Sequence, residues 1–355
     1  MAKSRPILIA GFYGFGNLGD EAIRIALLRK LETEGLLSPL TLVRSPQRDD
    51  QVDRNSPLSI FSALRRSSAL IFGGGGLLQN RTSNRSLGYY LSLILLARLA
   101  RRPVFLLGQG IGPINGTLAR MATRIVLSRV GYRGCRDRGS LKTITKMGLS
   151  GALDGDLFFL FPPMDKPAQT LPDRPIRIIL SLKGGNTCQG TNLIARTVDL
   201  INGLHPHTTA SFIFLPFFPA EDLGVARAII QNLKFTCQVI IPHSIEEATE
   251  VIGTADLLIS SRLHPLEFAL RAGTPILAMA EDPKIERFVE EIKVTVGFQI
   301  PCVSFPTPEE VLLLLASPPR REYLQGIYRK GHELTQKALA GFLDKFKDDL
   351  RGGGG

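Results

Sequence analysis

Short runs rich in Val, Ile, Leu and Phe recur along the chain, separated by longer stretches in which apolar residues return with helical spacing. That alternation is the βαβ rhythm of parallel sheets covered on both faces. It predicts strands near 7–12, 40–44, 69–72, 103–107 and 130–135, with helices near 20–34, 58–67, 86–101, 117–129 and 139–148. The scheme then repeats. Strands are predicted near 176–182, 210–215, 237–241, 256–260 and 275–280, with helices near 191–203, 221–233, 244–253, 263–272 and 284–293. Five prolines between 162 and 175 crowd together with charged residues between the two sets, which reads as a linker. The division predicted is a domain over 1–165, a linker over 166–175 and a second domain over 176–355 that ends in a polar-faced helix from about 319 to 349.

The length of 355 residues suits two domains, and 44% hydrophobic with 21% charged residues is ordinary globular usage, excluding collagen, coiled coil and wholesale disorder. The longest apolar run, 87–97, is stopped by Arg98, Arg101 and Arg102, short of the roughly 20 residues a spanning helix needs. The start, Met1-Ala2-Lys3-Ser4-Arg5-Pro6, passes directly into a strand-like run with no cleavage pattern, so a cytoplasmic chain is expected. A net charge of +11 points to an anionic partner: nucleic acid, a membrane surface or a phosphorylated substrate. Nucleic acid is not expected, because Trp is absent, aromatics are sparse and the basic residues read as scattered. Cys135, Cys188, Cys237 and Cys302 lie far apart with no ligand spacing; they are expected to be reduced, buried thiols, with no metal site and no cofactor.

Candidate chemistry gathers at predicted strand ends. The segment Gly14-Phe15-Gly16-Asn17-Leu18-Gly19-Asp20-Glu21 contains a formal GxGxxG. A dinucleotide site is disfavoured there, since Asp20 and Glu21 put carboxylates where a pyrophosphate would sit and the second strand ends at Arg44. Asp20 reads either as a helix cap or as a carboxylate facing a substrate. Two further glycine turns, 73–76 and 108–112, follow later strands and let a ligand approach the main chain; the polar stretch behind the first offers Gln79 and Ser83 to a sugar. The sharpest segment is Ser260-Ser261-Arg262-Leu263-His264-Pro265, a strand running into a helix, with hydroxyls, a guanidinium and an imidazole at the positive end of the helix dipole. Arg262 can hold a carboxylate or phosphate bidentately, and His264 can exchange protons near neutral pH. Lys284, after the next strand, and Arg136, at a junction where one of two arginines is expected to pair with Asp137, could reach the same region.

In combination these segments, with Gly73 to Leu78, Gly108 to Pro113, Arg136-Asp137 to Ser140 and Asp282-Pro283-Lys284, resemble the polysaccharide pyruvyl transferases of the CsaB type, in order along nearly the whole chain. The resemblance implies two Rossmann-like α/β domains in a GT-B-like arrangement with rearranged topology and a cleft between the domains. It implies transfer of pyruvate from phosphoenolpyruvate onto a sugar diol of a cell-envelope glycan precursor as a cyclic ketal. In the best-known members the acceptor is an N-acetylmannosamine on a lipid-linked disaccharide, and the ketalised polymer anchors surface-layer proteins. On that basis His264 is expected to carry a proton and Asp20 to activate or orient the acceptor hydroxyl. Arg262, Lys284, Arg136 and Ser261 are expected to bind phosphoenolpyruvate, and Asn17, Gly75, Gln79 and Gln109 the acceptor. A soluble or lipid-linked glycan is the expected partner, and the positive charge would suit a peripheral approach to the inner membrane face. The rival enzyme is a GT-B glycosyltransferase using a nucleotide sugar, in which Glu267 would hold the ribose. The rival non-enzyme is a basic nucleic-acid-binding module.

Overall fold

The computed structural model describes residues 5–36, 39–81, 83–164, 174–184 and 193–352. It divides into two compact units: 1–15, 20–161 and 331–355 form the first, 16–19 and 162–330 the second. In the first unit the elements run β1 (Ile7–Ala10), α1 (Leu18–Thr33), β2 (Leu40–Val43), β3 (Gln51–Asp53), α2 (Pro57–Arg66), β4 (Ala69–Gly73), α3 (Asn84–Leu99), β5 (Val104–Gln109), α4 (Thr117–Leu127), β6 (Tyr132–Cys135), α5 (Arg138–Lys146) and β7 (Ala152–Leu153). All strand pairs are parallel, in the order β3-β2-β1-β4-β5-β6-β7. β1, β4 and β5 are buried throughout, as the centre of a sheet covered on both faces requires. One of its faces is covered by α2, α3 and α4, whose Ile60, Leu64, Leu87, Ile94, Val126 and Leu127 share a core with Leu8, Leu70 and Leu106.

The second unit runs β8 (Ile176–Ser181), α6 (Leu193–Leu204), β9 (Ala210–Phe214), α7 (Pro219–Gln231), β10 (Gln238–Val239), α8 (Ile245–Gly253), β11 (Leu257–Ser260), α9 (Leu263–Ala272), β12 (Ile276–Met279), α10 (Pro283–Val296), β13 (Cys302–Val303) and α11 (Pro308–Ala316). Its sheet is also parallel, β10-β9-β8-β11-β12-β13. Both sheets have the standard doubly wound order, so the topological rearrangement implied by the resemblance does not show in either strand order. In each, the switch point falls beside the first strand, β1 against β4 and β8 against β11. There the glycine loops and the Ser-Arg-Leu-His segment leave the sheet.

The periodicity misses β3, β7, β13 and α11. The three strands have only two or three residues each, too short to show a period of two. The last helix, α12 (Arg321–Gly352), was predicted to close the second domain, but from Gly331 onward it belongs to the first unit. Phe342 and Phe346 pack on Phe105 with ring centroids 5.4 and 5.2 Å away, and Lys347 pairs with Glu34 at 2.9 Å. That returning helix lays aromatic rings on β5 and β6, where Phe342 also meets Tyr132 at 5.0 Å. Most of the predicted linker, 166–173, lies outside the described residues, as does Cys188. Cys135, Cys237 and Cys302 are free thiols; only Cys135 is buried, which pushes its thiol up to about 12, and the other two are half-buried. No described helix is long and apolar enough to cross a membrane.

Candidate functional site

In the first unit, three loops leave the carboxyl ends of β1, β4 and β5 and touch one another. Gly110 donates its N–H to Gly75 O at 2.8 Å, and Gly75 adopts φ +76°, a left-handed conformation open to glycine. A Cβ on Gly75 would lie 3.2 Å from Asp20 Oδ1, and one on Gly110 would lie 3.0 Å from Arg136 Nη2. A carboxylate and a guanidinium therefore flank two bare backbones. Asp20 is 8% exposed in the first turn of α1, where the helix dipole favours its charge. Tyr13 is fully buried beneath, its hydroxyl donating to Gly73 O at 2.5 Å; burial, with Asp20 and Glu21 nearby, pushes its phenol well above the usual range. The dinucleotide reading finds no room here. Glu21 Oε1 accepts the Gly14 N–H at 2.6 Å, so the chain's own carboxylate occupies the loop donor a pyrophosphate would need.

Several predicted ligands turn out to be scaffold. Gln109 is fully buried and spends its amide on Gly74 O at 2.5 Å, which ties the β4 and β5 loops together and takes it away from an acceptor. Gln79 folds onto its own turn, accepting the Arg81 N–H at 2.6 Å, and Ser83 caps α3 by accepting Ser86 N–H at 3.1 Å. Of the two arginines at the β6–α5 junction it is Arg136, the one assigned to the donor, that is buried. It lies 3.3 Å from Asp137 and 3.6 Å from Asp156, while Arg138 is exposed. Asp137 in turn caps α5 through Ser140 N at 2.7 Å.

In the second unit the β11–α9 junction is built from hydroxyls. Ser260 Oγ meets Ser181 O at 2.9 Å and accepts Arg262 N–H at 3.0 Å; Ser261, 1% exposed, accepts Lys183 N–H at 2.8 Å. Ser261 is thus a support for the turn and not an open donor to substrate. Arg262 is the N-cap of α9 and provides no side-chain cap, which leaves the first-turn N–H groups to another acceptor. Its guanidinium Nη2 bonds Glu221 Oε2 at 2.9 Å and also the buried Asp222 carboxylate, both in the first turn of α7. His264 is half-buried, and its ring is set against the backbone of Gly19: a Cβ there would lie 1.9 Å from Nδ1. Asn17 Oδ1 accepts the Gly19 N–H at 3.2 Å and so shapes that same loop. Glu267, one turn beyond His264, is fully buried.

Sequence reasoning named Lys284 but missed Lys183 and the acids Glu221 and Asp222 around this junction. Lys183, at the carboxyl end of β8, pairs with Asp282 at 3.0 Å, and Asp282 caps α10 by accepting Lys284 N–H at 3.1 Å. Burial would raise the Asp282 carboxyl, but Lys284 and Lys183 outweigh it and hold it down at about 2. Burial raises Glu281, opposed by its bond from Ser261 and by Lys183 and Arg196. The available signal was Lys183-Gly184 at a strand end: Gly184 packs so tightly that a Cβ would lie 1.8 Å from Glu221 O.

Two doubly wound parallel units in one chain define a GT-B-like protein. The fold is similar to a UDP-GlcNAc 2-epimerase from Neisseria meningitidis bound to UDP-GlcNAc (15% identity, TM-score 0.55, 96% of this chain and 100% of that one). It is also similar to a glycosyltransferase from Rickettsia africae (11%, 0.60, 98% and 99%) and to HepE of Anabaena in complex with UDP-glucose (11%, 0.57, 96% and 99%). At such identities the likeness is one of fold alone. No curated protein matches the chain by sequence. The family model of polysaccharide pyruvyl transferases matches residues 17–283, and the chain belongs to that family. It is a pyruvyl transferase of polysaccharide biosynthesis.

Proposed function

We propose that this transferase takes its pyruvyl group from phosphoenolpyruvate and ketalises a sugar diol of a cell-envelope polysaccharide precursor, an N-acetylmannosamine-like unit on a lipid carrier. The observation that carries the donor is the pair of ammonium groups gathered at the N-terminus of α10: Lys183, 3.0 Å from Asp282, and Lys284 both act on that one carboxylate. With Arg262 on the uncapped start of α9, these groups match a small molecule bearing both a carboxylate and a phosphate. Proton transfer to C3 of the enol creates an oxocarbenium-like centre at C2, and a sugar hydroxyl adds there. The C2–O bond to phosphate breaks, and the second hydroxyl closes the ring. Of the two hydroxyl protons released, one balances the proton gained at C3 and the other leaves with phosphate. His264 is the proton carrier, a role worth roughly 10²–10⁴-fold in rate. Asp20, beside the Gly75 backbone, orients the acceptor hydroxyl.

The nucleotide-sugar alternative needs Glu267 on a ribose, and Glu267 is 0% exposed. Thermal unfolding of the full chain with phosphoenolpyruvate, UDP-sugars, UDP and NAD at equal concentration separates the readings. A ligand at about 100 times its Kd stabilises the native state by about 2.7 kcal/mol. A rise with phosphoenolpyruvate alone is expected; a rise with UDP or a UDP-sugar instead would replace the donor and move attention to Glu267.

A further inference from the structure

The basic residues are not scattered, as the sequence reading had them. Between 54 and 136 the chain has thirteen arginines and no Asp, Glu or Lys, so outside that segment acids outnumber bases by 32 to 30. The whole positive excess therefore sits in one stretch, which carries α2, α3 and α4 between the strands β4, β5 and β6; these helices form one layer, α3 packing against both α2 and α4. Arg85, Arg98, Arg101, Arg120, Arg124 and Arg129 are exposed on it.

The same layer exposes large aliphatic side chains. On α4, Leu118 is 78% exposed, Met121 54% and Ile125 47%, at spacings of three and four that put them on one stripe. The opposite stripe, Thr123, Val126 and Leu127, is in the core, so the helix is apolar on two faces and cationic between them. The neighbouring helices also expose aliphatic side chains, Leu99 on α3 at 72% and Leu58 on α2 at 84%. Water-facing aliphatics rimmed by cations cost solubility unless something covers them.

We propose that the α2–α3–α4 layer of the first unit is a docking face for an anionic lipid surface, with Leu118, Met121 and Ile125 entering the headgroup boundary and the surrounding arginines meeting lipid phosphates. An amphipathic helix lying in the interface needs both features, an apolar stripe and cationic flanks, and α4 has both. The charge selects an anionic occupant over a second copy of this equally cationic layer. The aliphatic stripe selects lipid over nucleic acid, which would be met by cations and stacking aromatics. The inference holds whichever donor or acceptor the enzyme uses.

The test is flotation of the full chain with vesicles of phosphatidylcholine alone or with 30% phosphatidylglycerol (about that fraction, to give a negative surface potential), at low and high salt. Alongside it goes a variant carrying Leu118→Gln, Met121→Gln and Ile125→Gln, which keeps helix-forming residues at exposed positions. Binding to the anionic vesicles only, weakened at least about tenfold in the variant at unchanged melting temperature, is expected. A second variant, Arg120→Gln with Arg124→Gln, should lose binding and its salt dependence together. No binding to anionic vesicles overturns the proposal. So does equal binding by the wild type and the Gln variant, which would leave charge alone at work. Displacement from vesicles by duplex DNA with the Gln variant unaffected would assign the face to nucleic acid. A dimer that the Gln variant dissociates, without lipid binding, would assign it to a second copy.

Discussion

Asp222 holds Arg262. The buried carboxylate on α7 accepts from the arginine's Nη2 and also from the main-chain N–H groups of Gly184 and Phe218, at 3.1 and 2.9 Å. A guanidinium at the start of α9 is thereby fixed in direction, and the loop bearing Lys183 is fixed with it. Removing the carboxylate leaves a mostly buried cation and two main-chain donors without it. Asp222→Ala should therefore lower unfolding free energy by about 3 kcal/mol in urea titrations. A loss under 1 kcal/mol would mean that water or Glu221 replaces it fully. Arg262→Lys, which lacks the planar fork, should raise KM for phosphoenolpyruvate with little change in stability, and an unaltered KM would contradict a donor-binding arginine.

His264→Ala should lower kcat by roughly 10²–10⁴-fold at an unchanged melting temperature, as expected of a proton carrier outside the core. Gly19→Ala is the companion experiment. Its Cβ would lie 1.9 Å from Nδ1 and 2.2 Å from Cγ of His264, so the imidazole must move. We expect a fall in kcat without unfolding, and wild-type turnover would show that the ring position is immaterial.

Asp154 should make the protein less stable as pH rises. Burial lifts its carboxyl from 3.8 to about 6, against the opposing bonds from Tyr132 and from Gly108 N–H. An acid with a raised folded pKa binds its proton more tightly in the native state. The contribution of Asp154 is fully present below about pH 4 and falls away through pH 6, by on the order of 3 kcal/mol. Asp154→Asn, whose amide can donate to Tyr132 and accept from Gly108, should abolish that fall in pH-dependent denaturation curves; a persisting slope would place it on another group.

Asp282 works in the opposite sense. Its carboxyl is held at about 2, below its ordinary 3.8, so its contribution is present above pH 4 and is lost as pH drops toward 2. The magnitude is on the order of 2 kcal/mol, and Asp282→Asn should remove it. Lys183→Met should raise the acid midpoint of unfolding, since it takes away one of the two ammonium groups that hold the carboxylate ionised. An unmoved midpoint would leave Lys284 alone in that role.

The sequence by itself determined the two doubly wound units, because burial of parallel strands on both faces writes itself as short apolar runs and helices repeat at their own period. It also located the glycine turns and the Ser-Arg-Leu-His junction, since bare backbone and a strand-to-helix switch are local patterns. The short strands β3, β7 and β13 left no such pattern. Only the tertiary structure decided which polar groups meet. Arg262 finds Asp222 forty positions away, and Lys183 finds Asp282 ninety-nine away, because strand order brings the ends of β8, β11 and β12 side by side. It sent Gln109, Ser261 and Arg136 into the scaffold, and it carried α12 back to the first unit through Phe342 and Phe346. It also gathered the exposed arginines and aliphatics of α3 and α4 onto one layer. Those outcomes rest on contacts between residues far apart in the chain, which period and composition do not encode.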